Sequence, residues 1–257
     1  MTSSTLFDLT GKRALVTGSS RGIGSTLAEG LASHGASVIV HGRNATQVER
    51  TRERIAESTL TTVSSILFDV TDETAVTEAI HTIENDLGAI DILVNNAGIQ
   101  RRAPFTDFAL TDWNDLVATN LTSAFLVGQQ VARHMAQRGA GKIINIGSVQ
   151  TALGRPGITP YAATKGGIGM LTKGMCADLA PLGIQVNALA PGYFATDLTA
   201  ALVENAEFST WVQKRTPAGR WGQAEDLVGT LIYLASSGSA FVNGQIVYVD
   251  GGMTAVV

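Results

Sequence analysis

Short runs of β-branched and aliphatic residues alternate with longer segments of helical period along the chain, and this alternation constrains the fold more than any other feature. Strands are expected at Arg13 to Thr17, Ser37 to His41, Ser65 to Phe68, Ile90 to Val94, Lys142 to Ile146, Ile184 to Leu189 and Ile246 to Val249. Helices are expected between them, over Gly22 to His34, Ala45 to Glu57, Glu73 to Leu87, Asp112 to Gln137, Pro160 to Ala180 and Ala224 to Ala235. A repeated strand, helix, strand order pairs the strands in parallel through right-handed crossovers and places helices on both faces of one sheet. The expectation is an α/β, doubly wound fold with a seven-stranded parallel sheet, built as one domain over residues 1–257. Thr111-Asp112 supplies cap chemistry for the fourth helix, and Pro160 falls in the first turn of the fifth, where a missing N–H is tolerated. One stretch breaks the alternation, Gly192 to Trp221, after the sixth strand. The carboxyl ends of strands are where doubly wound sheets hold ligands, so this stretch is expected to cover a substrate.

Composition narrows the class. Charged residues make up 16% of the chain, below the usual share of about 25%, while 28 of the 257 residues are glycine, above the usual share of about 7%. With 45% hydrophobic residues, this excludes a disordered chain, a coiled coil and a disulfide scaffold. The balance of 18 Lys+Arg against 22 Asp+Glu gives a net charge of -4, which argues against a nucleic-acid partner, because phosphates call for a basic stripe. A single cysteine, Cys176, reads as a packing residue in a helical run. Met1 to Thr10 lacks the apolar and basic regions of an export signal, and no apolar run reaches the roughly 18 residues of a membrane span. A soluble cytoplasmic protein with no membrane partner is expected. The histidines at 34, 41, 81 and 134 show no ligand spacing, so no metal is expected.

The first strand runs into Thr17-Gly18-Ser19-Ser20-Arg21-Gly22-Ile23-Gly24, which opens directly into a helix. Gly18 allows a tight turn, Gly22 lets backbone approach a pyrophosphate, and Gly24 permits close packing, while the helix N-terminus offers unpaired N–H groups to phosphate. Ser20, Arg21 and Ile23 of the same loop join these glycines as expected cofactor residues. At the end of the second strand the sequence is His41-Gly42-Arg43-Asn44. An acid there would meet a free ribose 2′-OH, whereas a cation meets a 2′-phosphate. Arg43, with Arg21 as a second cation, therefore points to NADP rather than NAD.

The second half carries Ser148 at a strand end, then Tyr161 and Lys165 one helical turn apart. A phenol of pKa about 10 is a poor base at neutral pH, and a neighbouring ammonium is expected to lower it. Ser148 would donate a hydrogen bond to a carbonyl or alkoxide oxygen. Together these groups suit moving a proton to or from an oxygen while hydride moves to or from its carbon.

With the glycine loop and this Ser, Tyr and Lys set in place, the chain resembles the short-chain dehydrogenase/reductase family over nearly its whole length. The resemblance implies a Rossmann fold and assigns further residues by local motif. Asn95, Ala97 and Gly98, in Asn95-Asn96-Ala97-Gly98, resemble the segment that supports the sheet and lines the adenosine ribose. Asp69 and Val70 resemble its adenine contact, and Pro191, Gly192 and Thr196 its nicotinamide contacts. Asn120 resembles the asparagine that completes the catalytic set by holding a relay water. Lys165 also serves the nicotinamide ribose in that family, and Tyr161 belongs to the cofactor site as well.

Within the family, Asn95 to Arg102, Ile158 to Tyr161, Pro191 to Thr196 and Lys214 to Gly222 are similar to members acting on sugar acids. A sugar acid needs a guanidinium for its carboxylate and hydrogen-bonding groups for its hydroxyls. Arg101, Arg102 and Gln150 are the expected substrate residues beside Ser148 and Tyr161. Thr151-Ala152 stands where those members often have Ser-Glu, which leaves another keto sugar acid open. A 3-oxoacyl thioester reductase is the second reading, although an acidic carrier protein would favour a basic docking face. The low charge fits helices buried against sister subunits, and the resemblance implies a homotetramer.

Overall fold

The computed structural model describes residues 6–196 and 199–257. In chain order it contains β1 (Arg13–Val16), α1 (Gly22–Ser33), β2 (Ser37–Gly42), α2 (Ala45–Thr59), β3 (Val63–Leu67), α3 (Glu73–Thr82), β4 (Ile92–Asn95), α4 (Leu110–Val117), α5 (Ser123–Arg138), β5 (Gly141–Ile146), α6 (Thr159–Leu179) and β6 (Ile184–Pro191). The chain continues through β7 (Phe194–Ala195), α7 (Ala200–Glu204), α8 (Ala206–Arg215), β8 (Gly222–Gln223), α9 (Val228–Ala235) and β9 (Ile246–Val249). Seven strands form one sheet in the order β3-β2-β1-β4-β5-β6-β9. Every neighbouring pair is parallel, from Ala14 opposite Val38 on one side of β1 and Ile92 on the other, out to Ala190 opposite Tyr248. The order reverses between β1 and β4, and doubly wound folds bind ligands in the crevice outside the carboxyl ends of the strands at such a point.

The period-2 alternation of the strands divides the core in two. Ala14, Val16, Val38, Val40, Ile92 and Val94 point to one face and pack with Leu27 and Leu31 of α1, Val48 and Ile55 of α2 and Leu231 of α9. Leu15, Ile39, Leu93 and Ile143 point to the other, against Val76 and Ile80 of α3 and Val127, Val131 and Met135 of α5. Cys176 is half-buried and packs against this second cluster, as a small apolar side chain would. Leu15 is fully buried on the central strand. Leu15→Ala is expected to lower stability by about 2–5 kcal/mol, read as a shift of the urea midpoint at unchanged slope; a loss under about 1 kcal/mol would show that this layer collapses onto the gap.

Local chemistry sets the helix starts. Asn44 caps α2 by accepting from the Gln47 N–H at 2.9 Å, and Asp72 caps α3 by accepting from the Ala75 N–H at 3.1 Å. Pro160 lies in the first turn of α6, as expected. The fourth helix differs from expectation. It begins at Leu110 after Ala109, with no side-chain cap, so Thr111-Asp112 lies inside the first turn rather than ahead of it. Asp112 there faces the positive helix end and pairs with Arg101 at 3.4 Å. The expected single helix from Asp112 to Gln137 is also interrupted by a π turn, Ala118–Thr122, which separates α4 from α5 and contains the buried Asn120. The strands β3 and β4 are offset by about two residues from their expected spans.

Candidate active site

The glycine loop leaves the end of β1 under tight restraint. Gly18 has φ +64 and sits so close to Ala97 that a Cβ would lie 2.9 Å from the Ala97 Cα. Gly22 has φ +56, and a Cβ on Gly24 would meet the Asn96 side chain and lie 2.5 Å from the Gly18 carbonyl oxygen. A Cβ at Gly18 or Gly24 would force the backbone to move, and the positive φ at Gly18 and Gly22 favours glycine. Arg21 occupies the N-cap of α1 with no side-chain cap bond, and the first turn holds no acid, so the positive end of the helix faces the crevice. Ser20 carries its carbonyl to the Thr51 hydroxyl at 2.8 Å, and Ile23 packs on the core beneath the loop.

His41 clasps this loop, although as an isolated histidine it gives no signal in the sequence. Its Nδ1 accepts from the Gly18 N–H at 2.9 Å, and its Nε2 lies 3.1 Å from the Phe68 carbonyl oxygen, which a neutral Nε2–H tautomer satisfies as donor. Ser19 completes the clasp, its N–H donating to the His41 carbonyl at 2.9 Å. Burial is the main reason the imidazole is pulled down to about 4, against the Phe68 carbonyl and the Asp69 charge, which favour the cation. The unfolded chain takes up a proton that the folded chain refuses, so this contribution is full above pH 6.5 and is lost as pH falls toward 4. A shift of that size corresponds to about 3 kcal/mol. The expected outcome is a wild-type stability that falls more steeply from pH 6.5 to 4 than that of His41→Gln, measured by urea unfolding across that range; parallel profiles would contradict it.

At the end of β2, Arg43 is largely exposed and its guanidinium lies 3.0 Å from the Asp69 carboxylate. Asp69 is held by the Thr71 N–H and hydroxyl at 2.9 and 2.7 Å, and Val70 is buried behind it. Asn95 departs from its expected place among cofactor residues. The strand alternation turns it into the sheet interior, where its Nδ2 donates to Asn145 Oδ1 at 2.9 Å and to the Ala124 carbonyl. The neighbouring Asn96 holds the glycine loop instead, its Nδ2 donating to the Thr17 and Gly18 carbonyls at 2.9 and 3.1 Å. The Ala97 N–H donates to the Thr17 hydroxyl at 3.1 Å. Gly98 faces Asn120, where a Cβ would lie 3.3 Å from Oδ1. At the far side of the crevice, Pro191 is buried, the Gly192 N–H donates to the Val249 carbonyl at 2.9 Å, and Thr196 bonds Thr199.

Ser148 follows β5 and opens a short turn, its Oγ accepting from the Gln150 N–H at 3.2 Å. α6 brings Tyr161 and Lys165 to the same place, with the Lys165 Nζ 5.7 Å from the Tyr161 ring centroid. That Nζ is buried and donates to the Ile146 carbonyl at 2.7 Å. Both side-chain groups of Asn120 are taken by the main chain of Ile99: Oδ1 accepts from its N–H at 2.7 Å, and Nδ2 donates to its carbonyl at 2.9 Å.

The electrostatics correct one expectation. Burial pushes the Tyr161 phenol up, the Ser148 hydroxyl pulls it down, the Tyr193 phenol adds to the rise, and the Arg102 guanidinium opposes it. The net direction is upward, against the lowering expected from a neighbouring ammonium, and Lys165 is itself pulled down by burial to about 8.

The two expected substrate arginines part company. Arg101 pairs with Asp112, while Arg102 is held below its usual range by burial and by the Arg155 charge, with the Tyr193 and Tyr161 phenols acting the other way. Gln150 is buried and its Oε1 accepts no hydrogen bond. Arg155 and Tyr193 were not read from the sequence: a lone Arg in Gly154-Arg155-Pro156-Gly157 carries only a turn signal. Tyr193 packs edge-on against Phe208, Trp211 and Trp221 at 5.7, 5.7 and 5.8 Å, which gives the stretch from Gly192 to Trp221 an aromatic core of its own.

Comparison with known proteins agrees with this geometry. Residues 18–254 match a family model described as Enoyl-(Acyl carrier protein) reductase. The chain is 57% identical over 249 residues to gluconate 5-dehydrogenase of Gluconobacter oxydans (strain 621H), covering 97% of each chain. It is 51% identical over 252 residues to 5-keto-D-gluconate 5-reductase of Escherichia coli (strain K12), covering 98% of this chain and 99% of that one. Among solved structures, a gluconate 5-dehydrogenase from Burkholderia cenocepacia J2315 in complex with NADP and tartrate is similar at a TM-score of 0.96, with 56% identity and 99% of both chains covered.

Proposed function

The chain belongs to the short-chain dehydrogenase/reductase family, and from that premise we propose that it interconverts D-gluconate and 5-keto-D-gluconate with NADP(H). The observation that carries this reading is the meeting of Ser148, Tyr161 and Lys165 with the Arg102 guanidinium at one crevice. An oxygen-protonating set thus stands beside a cation for a carboxylate. The relatives that share more than half of their residues with this chain carry sugar-acid names, which supports the same substrate class.

The cofactor site fits NADP. Gly18, Gly22 and Gly24 clear a path for the pyrophosphate to the N-terminus of α1, where Ser20, Arg21 and Ile23 lie. Arg43 would hold the 2′-phosphate, with Asp69 and Val70 at the adenine, Ala97 and Gly98 at the adenosine ribose, and Pro191, Gly192 and Thr196 at the nicotinamide end. When bound, NADPH supplies the hydride. In the reducing direction the Tyr161 hydroxyl gives its proton to the ketone oxygen and becomes the phenolate, and in the oxidising direction the phenolate takes the proton of the alcohol. Ser148 donates to the same oxygen and so favours the charge that develops there. Lys165 opposes the negative charge left on Tyr161 and serves the nicotinamide ribose. Asn120, braced by Ile99, completes the set. Gln150, whose Oε1 has no partner, would accept from a substrate hydroxyl, and the stretch from Gly192 to Trp221 covers the bound sugar acid.

The deciding experiment compares kcat/KM with NADPH for 5-keto-D-gluconate, other keto sugar acids and an acetoacetyl thioester. We expect the first to lead the thioester by at least about 100-fold, since a site built for charged and hydroxyl groups rejects a ligand lacking them. Equal values would favour the 3-oxoacyl thioester reading. We further propose a cytoplasmic homotetramer. The single half-buried Cys176 fits a reducing compartment, and an apolar groove between α5 and α6, with Phe125 half-exposed beside Met175 and Leu182, fits a second copy. Among the described residues no helix is long and apolar enough to cross a membrane. Light scattering after gel filtration tests the assembly, and a monomeric mass would exclude it.

A further inference from the structure

Arg155 lies in the loop between the Ser148 turn and α6, and the family motifs assign it nothing. Its Nε is buried and donates to no acceptor. The guanidinium carbon lies over the Phe208 ring, 4.9 Å from the centroid, and the Tyr193 phenol is a further neighbour of the same group. Burial holds the Arg102 guanidinium below its usual range, the nearby Arg155 charge adds to this, and both arginines act on the Tyr193 phenol. Among the described residues neither Arg102 nor Arg155 takes part in an ion pair. Two guanidinia converging beside a phenol, one with a buried unmet donor, form an arrangement that an anion stabilises.

We propose that Arg155 binds the carboxylate of the substrate through its guanidinium, with Arg102 as the second cation and Phe208 packed against the guanidinium. This rests on the sugar-acid reading and names the residue that selects an acid over a neutral ketose. A planar carboxylate matches the two parallel N–H donors of an arginine edge, which a lysine ammonium lacks. Because Phe208 belongs to the stretch from Gly192 to Trp221, carboxylate binding at Arg155 also ties that stretch to the catalytic loop.

The test uses Arg155→Met and Arg155→Lys as holoenzymes with NADP. For both variants we expect KM for 5-keto-D-gluconate to rise about 10- to 100-fold, with kcat changed by less than about threefold and KM for NADPH unchanged. KM for a neutral ketose should stay within about twofold of the wild type. In parallel, calorimetry measures tartrate, a small hydroxy dicarboxylate, against the NADP-bound protein. Binding by the wild type and its loss in Arg155→Met support the carboxylate site, even if no keto sugar acid proves to be a substrate. Wild-type turnover of the keto acid with unchanged tartrate affinity and unchanged KM in both variants overturns the inference while leaving the reductase reading intact. An equal KM rise for the neutral ketose assigns Arg155 to loop packing on Phe208 and also overturns it.

Discussion

Tyr161→Phe is expected to reduce turnover by about 10²- to 10⁴-fold, the range that general acid–base groups supply, while the dissociation constant for NADPH stays within about threefold. The Tyr161 phenol lies by Ser148 and can exchange a proton with the reacting oxygen. Its surroundings oppose early ionisation: burial raises it, and Ser148 with Arg102 pulls only partly against this. The neutral phenol is therefore the resting form, suited to donating during reduction. Removing one oxygen atom leaves ring packing and the Lys165 bond to Ile146 in place, so folding and cofactor affinity serve as controls. Single-turnover NADPH absorbance and fluorescence titration read the two quantities separately. Retention of more than a few per cent of the rate would falsify the proton-donor role.

Arg43→Ala is expected to lower kcat/KM with NADPH by about 10- to 100-fold, the worth of one or two charge-assisted hydrogen bonds, with NADH changed by less than about threefold. Arg43 is solvent-exposed and held toward the crevice by Asp69 at 3.0 Å. An exposed ion pair of this kind is worth at most about 1 kcal/mol, so a phosphate dianion can take the guanidinium from it. Exposure also predicts that the preference for NADPH shrinks as salt rises, because screening acts on solvated charges. Equal losses with the two cofactors would remove Arg43 from the 2′-phosphate site and shift attention to Arg21.

The correspondence between sequence and structure has a physical pattern. Residues whose role follows from backbone geometry were legible: Gly18 and Gly22 occupy positive-φ positions, and Gly24 leaves no room for a Cβ. Tyr161 and Lys165 share a helical face because a four-residue spacing requires it. Where a role depends on which way a side chain turns, local pattern was not enough. Asn95 and Asn96 are adjacent and chemically identical, yet one faces Asn145 in the interior and the other clasps the glycine loop. Arg101 and Arg102 divide in the same way, between Asp112 and Tyr161. His41 gave no signal as an isolated histidine, because its partners, Gly18 and Phe68, are 23 and 27 residues away.

By itself, the sequence determined the alternating architecture, the phosphate-ready turn after β1 and the Ser, Tyr and Lys set. Each of these is written in short-range periodicity or in residues that only one backbone conformation accepts. Tertiary structure alone decided which side chains converge on the crevice. Placing Arg155 on Phe208, Tyr193 beside Arg102 and His41 beneath Gly18 takes parallel strands and long connections, whose register is set by burial over the whole sheet rather than by neighbours in the chain.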